Sequence, residues 1–433
     1  MMNTLESAAA GDPAARPPFA HLGPVIALAG CYGIATLSWA VAGNALPGGR
    51  WLAVHLFTLG VLSNLVLAMT EHFSFTLTRV PGDQRAWLRL AVFNVGALGV
   101  LVGLPTGWRV PFLAGAVVST AAVLWLYLAL RRMRKRALGA RFAFVVRAYE
   151  RATAAFLHGA ALGALLGVGV LAGGWYSAVR VAHLSVNILG WGGLVLLATV
   201  VFFGPTLMRT KMAPHAQRLA VPALRHGATA LSVGVVALIV TGADGTVGLV
   251  ARVVAVIALA GYAAAVTAVC VPVVQAARRA VPSAHGRMIA AACVWFPLAI
   301  WAGVAVLATD APRLLDGLGL VLLVGVLGQA ILGAWTYLLP MVAGRGPAAR
   351  TAARVRLERF ARLRPAAYNA GVGMLSAAHL TRAAADVDTA PLAAAAWGLL
   401  VATVATTLLL AVTALAAARA AAGAPVQTPS EQR

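Results

Sequence analysis

Residues 190–209 read GWGGLVLLATVVFFGPTLMR, an apolar run that carries no charge before its final arginine. A run of about 20 apolar residues is what an α-helix needs to cross the hydrocarbon core of a bilayer. Eleven other runs meet this requirement, so the sequence predicts an all-α integral membrane protein with twelve transmembrane helices. The twelve predicted spans are 22–44, 51–78, 87–104, 110–130, 152–173, 181–208, 220–241, 247–275, 287–307, 314–341, 365–384 and 390–418.

The composition of the 433-residue chain excludes a soluble domain and a disordered chain. Hydrophobic residues make up 61% and charged residues only 11%, whereas soluble domains carry about 25% charged residues. The net charge of +22 would suit nucleic-acid binding, but the Lys and Arg residues are concentrated in short segments between the apolar runs. Because this distribution is typical of the cytoplasmic loops of membrane proteins, we expect a lipid bilayer and no nucleic acid as the partner.

The positions of the basic residues predict the topology. With the N-terminus inside, 28 of the 34 Lys and Arg residues fall on the inner side and six on the outer side, as the positive-inside rule requires. We therefore expect an N-in and C-in orientation in a bacterial cytoplasmic membrane, with cytoplasmic tails at 1–20 and 420–433. The basic segments 131–151 and 345–364 are expected to be inner loops that contact lipid headgroups, with partner binding as the alternative.

The run at 190–209 has two relatives, which predicts an internal repeat. They are GVLSNLVLAMTEHFSFTLTR at 60–79 and GVLGQAILGAWTYLLPMVAGR at 325–345. The first glycines of the three runs are 130 and 135 residues apart, and each period holds four predicted spans. We therefore predict one membrane domain at 21–419, built from three four-helix arcs. The predicted arcs are 21–136, 137–279 and 280–419.

Three strings carry a resemblance to a known family: HLSVNILGWGG from His183, HLFTLGVLSN from His55 and GQAILGAWTYLLP from Gly328. With the three arcs, they resemble haem-copper oxidase subunit I, in which the second helix of each arc lines the centre. They are close to the membrane portion that precedes copper-nitrite-reductase-type multicopper oxidase domains, and more distantly similar to membrane haem proteins of nitric-oxide stress. The resemblance implies b-type haem, copper as a further cofactor, and electron transfer linked to copper or nitrogen-oxide respiration. It also implies a periplasmic copper protein or quinol as the electron partner.

The sequence departs from the oxidases where the oxidases ligate their metals. The tenth span lacks their His-x-His pair, and the seventh span holds only His226. A binuclear oxygen-reducing centre is therefore not expected, and an enzymatic role as a membrane oxidoreductase component stays open. The alternative is a relative without cofactors, which would be a transporter or an assembly factor for metal or haem centres.

Three histidines on the outer side of the predicted spans are the candidate axial ligands of a haem iron: His55, His183 and His379. A histidine inside a span is costly unless it is paired, ligated or interfacial, and neutral imidazole is a suitable ligand for haem iron. The resemblance implies that His55 and His379 share one pore, with His183 in the neighbouring arc. The alternative is that each imidazole hydrogen-bonds to backbone, lipid headgroups or water.

The remaining polar residues in the spans have simpler interpretations. Glu71 and His72 are expected at a solvated helix end near the inner interface, with proton entry as the alternative. The other histidines lie toward the inner side and are weaker ligand candidates. Five amides are expected to form interhelical hydrogen bonds, and these are Asn64, Asn94, Asn187, Gln329 and Asn369.

Overall fold

Every regular element that the structure describes is a helix. The computed structural model describes residues 22–81, 85–137, 141–213, 215–343, 346–385 and 387–423, and we number its main helices α1 to α13. Their bounds are α1 Gly23–Ala42, α2 Gly49–Thr78, α3 Ala86–Thr106, α4 Arg109–Arg136, α5 Ala143–Val168, α6 Gly173–Leu207, α7 Ala216–Val240, α8 Gly245–Arg279, α9 Ala284–Ala308, α10 Leu315–Val342, α11 Gly346–Leu357, α12 Leu363–Ala385 and α13 Ala390–Gly423.

Eleven of the described helices, all except α11 and α12, are long and apolar enough to cross a membrane. This confirms the prediction of an all-helical, multi-pass membrane protein. The helix α12 has 23 residues, which is long enough, but it carries Arg364 and Arg382 near its ends. The predicted N-terminal tail 1–20 and residues 424–433 of the C-terminal tail lie outside the described residues.

The two basic segments that we predicted as loops are largely helical. Helix α4 continues to Arg136 and α5 already begins at Ala143, so most of 131–151 extends the flanking helices. Hydropathy marks only the apolar part of a helix, whereas Arg and Lys are good helix formers that can extend it beyond that part. The segment 345–364 contains α11, which packs three small or apolar residues, spaced four apart, on α13. These residues are Ala349, Ala353 and Leu357.

The helices α2, α6 and α10 each contain a π-helical turn at an equivalent place. The three turns are Leu56–Leu62, Val186–Gly193 and Val321–Gly328. A π turn widens the helix by one residue per turn and is often associated with functional sites. Each turn includes the first glycine of a repeated run, so the repeat in the sequence is also a repeat of an uncommon backbone geometry.

A hydroxyl group from a side chain binds a backbone carbonyl in each π turn. Ser63 donates to the carbonyl of Thr58 at 2.7 Å. Tyr262 of α8 donates to Leu189 at 2.8 Å, and the equivalent contact in α10 runs from Tyr368 of α12 to Val324 at 3.0 Å. Each of these carbonyls also accepts the backbone N–H of the residue five positions on, so the hydroxyl is a second donor that adds a hydrogen bond to the π turn.

The three π turns meet at the centre of the bundle. The indole nitrogen of Trp191 donates to the hydroxyl of Ser63 at 2.9 Å, which joins α6 to α2. A Cβ atom at Gly192 would lie 2.8 Å from a methyl group of Leu327 and 3.2 Å from one of Leu62. A larger residue at this position would displace the Leu327 side chain, so glycine lets the three helices pack this closely without that shift. In the most apolar 18-residue segment of α6, 67% of the residues are buried, whereas the corresponding segments of the other ten helices are 22–50% buried. Helix α6 is therefore the most enclosed of the eleven.

We call the end of the bundle at which α2 and α6 begin the outer end, and the other end the inner end, after the predicted topology. Ion pairs and hydrogen bonds connect the helices at the inner end. At the inner end, Glu71 of α2 pairs with Arg89 of α3, and both residues are buried. Arg134 of α4 pairs with Glu150 of α5. The expectation that Glu71 lies at a solvated helix end is therefore wrong, because α3 covers it and supplies the opposite charge.

One inner-end hydrogen bond occurs twice in the chain. Arg151 of α5 donates to the carbonyl of Arg225 in α7 at 3.2 Å. Arg287 of α9 donates to the carbonyl of Ala361, just before α12, at 2.9 Å. Donor and acceptor both advance by 136 residues, which is close to the 135-residue spacing of Gly190 and Gly325.

We expect Tyr262→Phe to destabilise the protein by about 0.5–1.5 kcal/mol, the net value of one hydrogen bond, because the Leu189 carbonyl keeps the backbone N–H of Leu194 as a donor. Tyr127→Phe in α4 is the matched control, since the Tyr127 hydroxyl makes no hydrogen bond among the described residues. Thermal unfolding of the detergent-purified protein measures the difference. Equal melting temperatures for the two variants would show that the hydroxyl does not support the π turn.

The Glu71–Arg89 pair predicts a non-additive pair of substitutions. Arg89→Leu leaves the buried carboxylate without this guanidinium and should cost about 3–5 kcal/mol, whereas replacing both partners by Leu should cost less than that single change. A double-mutant cycle, with stability measured by reversible unfolding in denaturant, gives the coupling energy of the pair. Strictly additive effects would mean that the pair contributes no interaction energy.

Candidate cofactor cavity

A cavity of about 1800 Å³ extends from the outer end toward the centre of the bundle. Its wall includes residues from α2, α6, α10, α12 and α13, among them Trp335 and Trp397. Pockets for small ligands usually measure about 300–1,000 Å³. The cavity therefore has room for a ligand larger than most metabolites, and its wall is largely apolar.

His55 of α2 lies on the cavity wall with its ring held in one orientation. Its Nδ1 lies 2.8 Å from the carbonyl oxygen of Trp51, and the ring stacks on the Trp51 indole with centroids 4.0 Å apart. A carbonyl can only accept, so Nδ1 carries the proton and Nε2 keeps a free lone pair.

His183 of α6 reaches the same cavity and is held in the same way. Its Nδ1 lies 2.9 Å from the carbonyl oxygen of Gly159 in α5. A Cβ atom at Gly163, one turn further along α5, would lie 2.8 Å from Cε1 of the imidazole. Glycine at this position makes room for the ring, and the carbonyl again leaves Nε2 of His183 unprotonated.

His379 of α12 is the third histidine on the cavity wall. Its Nδ1 lies 2.9 Å from the carbonyl oxygen of Leu375. All three predicted ligands therefore share one tautomer, with Nδ1 bound to a backbone carbonyl. This is the arrangement that usually orients a metal-ligating histidine.

The imidazoles of His55 and His183 face each other across a short gap. Their ring centroids are 6.4 Å apart and their planes differ by 21°. A metal ion bound by both imidazoles would lie roughly 2.0–2.1 Å from one nitrogen of each. Rings at this separation are near enough for both to hold one ion.

The resemblance placed His183 in a different arc from the pore of His55 and His379, whereas the structure places all three on one cavity. His55 and His183 are not equivalent in the repeat, because their offsets from Gly60 and Gly190 differ by two residues. Both π turns start four residues before these glycines and leave that difference unchanged. The two rings therefore meet from non-equivalent positions of α2 and α6.

The donor set fits a metal that brings most of its ligands with it. Among the described residues, no three His, Cys, Asp or Glu side chains lie close enough to hold a metal ion by themselves. Haem iron receives four nitrogens from its macrocycle and needs one or two ligands from the protein. The two imidazoles match that requirement.

Four exposed arginines line the mouth of the cavity: Arg50, Arg180, Arg313 and Arg382. Arg180 also pairs with Asp316 at 3.2 Å across α6 and α10. A positive mouth above an apolar wall suits an amphipathic ligand with carboxylate groups. In the sequence, these arginines indicated only the topology. Their place beside the site could have been noticed from the spacing, because Arg50 and Arg180 come five and three residues before His55 and His183.

The inner histidines do not join this cavity. His285 binds Glu358, His158 is exposed and binds the carbonyl of Ala154, and His226 is exposed. His72 lies edge-on to Phe73.

Several predicted amides form the expected hydrogen bonds between helices. Asn94 donates to Asn64 at 2.7 Å, and Asn369 accepts from Trp295 at 2.8 Å. Asn187 instead binds within its own helix, to the carbonyl of His183.

Comparisons with known proteins do not assign the chain to a family. No protein-family model matches the sequence, and no curated protein matches it either. The function is therefore argued from the cavity itself.

Proposed function

We propose that this protein binds b-type haem in the outer cavity and transfers electrons in respiration linked to copper or nitrogen oxides. The observation that carries the proposal is the His55–His183 pair, with its 6.4 Å centroid separation and shared tautomer. Haem iron, when bound, accepts and donates one electron. His55 and His183 would hold the iron, and His379 is a residue of the cavity wall.

The chain's own residues have separable roles in this proposal. The carbonyls of Trp51 and Gly159 orient the two imidazoles so that each Nε2 can bind iron. The mouth arginines would hold the two carboxylates of a haem, since guanidinium groups bind carboxylates with paired hydrogen bonds. The apolar wall excludes water from the iron and so helps to set its reduction potential.

The topology that we propose for this function has twelve spans in three four-helix arcs, with both termini inside. Counting α12 as a span gives the 28-to-6 distribution of basic residues. It also places Arg364 at the inner end and Arg382 at the cavity mouth. The three π turns and the inner-end hydrogen bond that recurs after 136 residues support the arcs.

We further propose that the protein is related to haem-copper oxidase subunit I and lies in a bacterial cytoplasmic membrane. Its centre is lined by the second helix of each proposed arc, α2, α6 and α10, as the resemblance implies. The cavity mouth would then face the periplasm, where a copper protein or a quinol at the membrane surface could exchange electrons with it.

A second candidate function rests on the same cavity. A volume of about 1800 Å³ with a positive mouth would also admit an organic anion, as expected for a transporter or an assembly factor without a resident cofactor. A reduced-minus-oxidised visible spectrum separates the two functions, because only a haem protein gives a sharp b-type band pattern.

We expect that pattern in the detergent-purified protein expressed with ample haem. Loss of an outer hydrogen-bond partner lowers the affinity of a metal site by about 10–100-fold. His55→Ala and His183→Ala remove a ligand itself, so each should weaken haem binding by more than that. His379→Ala should retain haem. His158→Ala is the control, since His158 is exposed outside the cavity. Full haem content in a His55→Ala/His183→Ala double variant would refute the ligand assignment.

The arginine mouth gives an independent prediction. Arg50→Met and Arg382→Met should each raise the haem dissociation constant by about fivefold, the effect of a partly exposed ion pair, without moving the absorption bands. Arg109→Met is the control, because Arg109 is also an exposed outer-end arginine but does not line the cavity. Haem transfer to an acceptor protein measures the dissociation. An equal effect of all three substitutions would show that the mouth arginines do not bind the haem carboxylates.

A further inference from the structure

A carboxylate and a histidine form a hydrogen-bonded pair at the inner end of the bundle, far from the mouth of the outer cavity. His285 is the second residue of α9, and its Nδ1 lies 2.6 Å from Oε1 of Glu358. The other carboxylate oxygen accepts from the backbone nitrogen of Ala284 at 2.7 Å. Glu358 lies between α11 and α12, so the pair joins the start of α9 to this connection.

The two partners differ in their access to solvent. The Glu358 side chain is 25% exposed and the His285 side chain only 4%. Burial raises the pKa of Glu358, but the hydrogen bonds from His285 and Ala284 and the charge of Arg364 together lower its pKa below the ordinary value. Glu358 is therefore ionised at neutral pH and accepts a hydrogen bond from Nδ1 of His285.

The other charged and titratable groups around the pair are accounted for. Arg287 of α9 donates to the carbonyl of Ala361 at 2.9 Å. Arg364 of α12 donates to the carbonyls of Leu357 and Arg359 and to the Thr407 hydroxyl. From α10, the ring of Tyr337 lies 5.3 Å from the His285 ring, and Arg209 at the end of α6 acts electrostatically on Tyr337.

The second ring nitrogen of His285, Nε2, is buried and has no hydrogen-bond partner among the described residues. The same holds for Oε1 of Gln329 and the indole nitrogen of Trp335, both on α10, which packs on α9. Trp335 also lines the outer cavity. Helix α10 therefore has buried polar atoms near the pair and at the cavity wall.

We propose that Glu358 and His285 are a proton-exchange pair, which passes protons between the inner aqueous phase and the interior beside α10. Nε2 of His285 takes a proton from a water molecule in the interior, and the imidazolium passes its Nδ1 proton to the Glu358 carboxylate, which releases it to the inner aqueous phase. The reverse steps return a proton from Glu358 to Nδ1 and from Nε2 to the interior water, and they restore the starting pair. In each direction one proton enters and one leaves, and no oxidant or reductant is needed.

The exchange itself does not depend on haem, and the pair is tested first without it. Deuterium exchange at the C2 carbon of each histidine, followed by mass spectrometry over a pH series, reports the protonation of His285. We expect a full titration curve for His285, and Glu358→Gln should weaken its proton affinity by about tenfold or more. Glu150→Gln is the control, since it removes an inner-end carboxylate that binds Arg134. A His285 that does not titrate, or that ignores Glu358→Gln, would overturn the proposal.

The coupling of this pair to the cavity rests on the proposed haem function and has its own measurement. Reduction of the haem-loaded protein in unbuffered solution with a pH-sensitive dye should show proton uptake, and His285→Asn should abolish it while haem content stays unchanged. Undiminished uptake in His285→Asn would refute the coupling. A protein without haem would fail only here, and would overturn the haem proposal while the exchange result stands.

Discussion

The backbone carbonyls of three π turns must find hydrogen-bond donors inside a membrane, and much of the molecule follows from this requirement. Water is not available there to bind them, so irregular backbone survives only where protein groups bind it. Backbone N–H groups five residues on bind one carbonyl in each turn, and the hydroxyls of Ser63, Tyr262 and Tyr368 add a second donor to it. The Tyr262 and Tyr368 contacts also connect the central helices α6 and α10 to α8 and α12.

The two ends of the bundle use charge differently. At the inner end, acidic and basic side chains bind each other, as Glu71 and Arg89 do when both are buried. At the outer end, four arginines surround the cavity mouth with Asp316 as a partner for one of them. The inner-end pairs stabilise helix contacts. At the mouth, Arg50, Arg313 and Arg382 have no ion-pair partner among the described residues and line the cavity, so they remain available to an anionic cofactor.

Much of the fold could be predicted from the sequence, because spans depend on local apolar length and the repeat is visible in the residues after Gly60, Gly190 and Gly325. The three cavity histidines could be named for the same reason, since an imidazole within a span is uncommon and costly. The pairing of His55 and His183 could not be predicted, because it depends on how α2 and α6 face each other, which hydropathy and the repeat do not show. The burial of Glu71 was missed because hydropathy does not reveal which helix covers a given face.

Helix α10 relates the two proposed sites to each other. One part of it, around Tyr337, lies against His285 at the inner end, and Trp335 lines the outer cavity. An electron that enters an apolar cavity adds a negative charge where the low dielectric constant makes it costly. A proton brought to the same helix from the inner phase offsets that charge, and the cost of reduction falls as the proton comes nearer. A haem in the outer cavity and a proton-exchange pair at the inner end would therefore be two parts of one charge-balancing device.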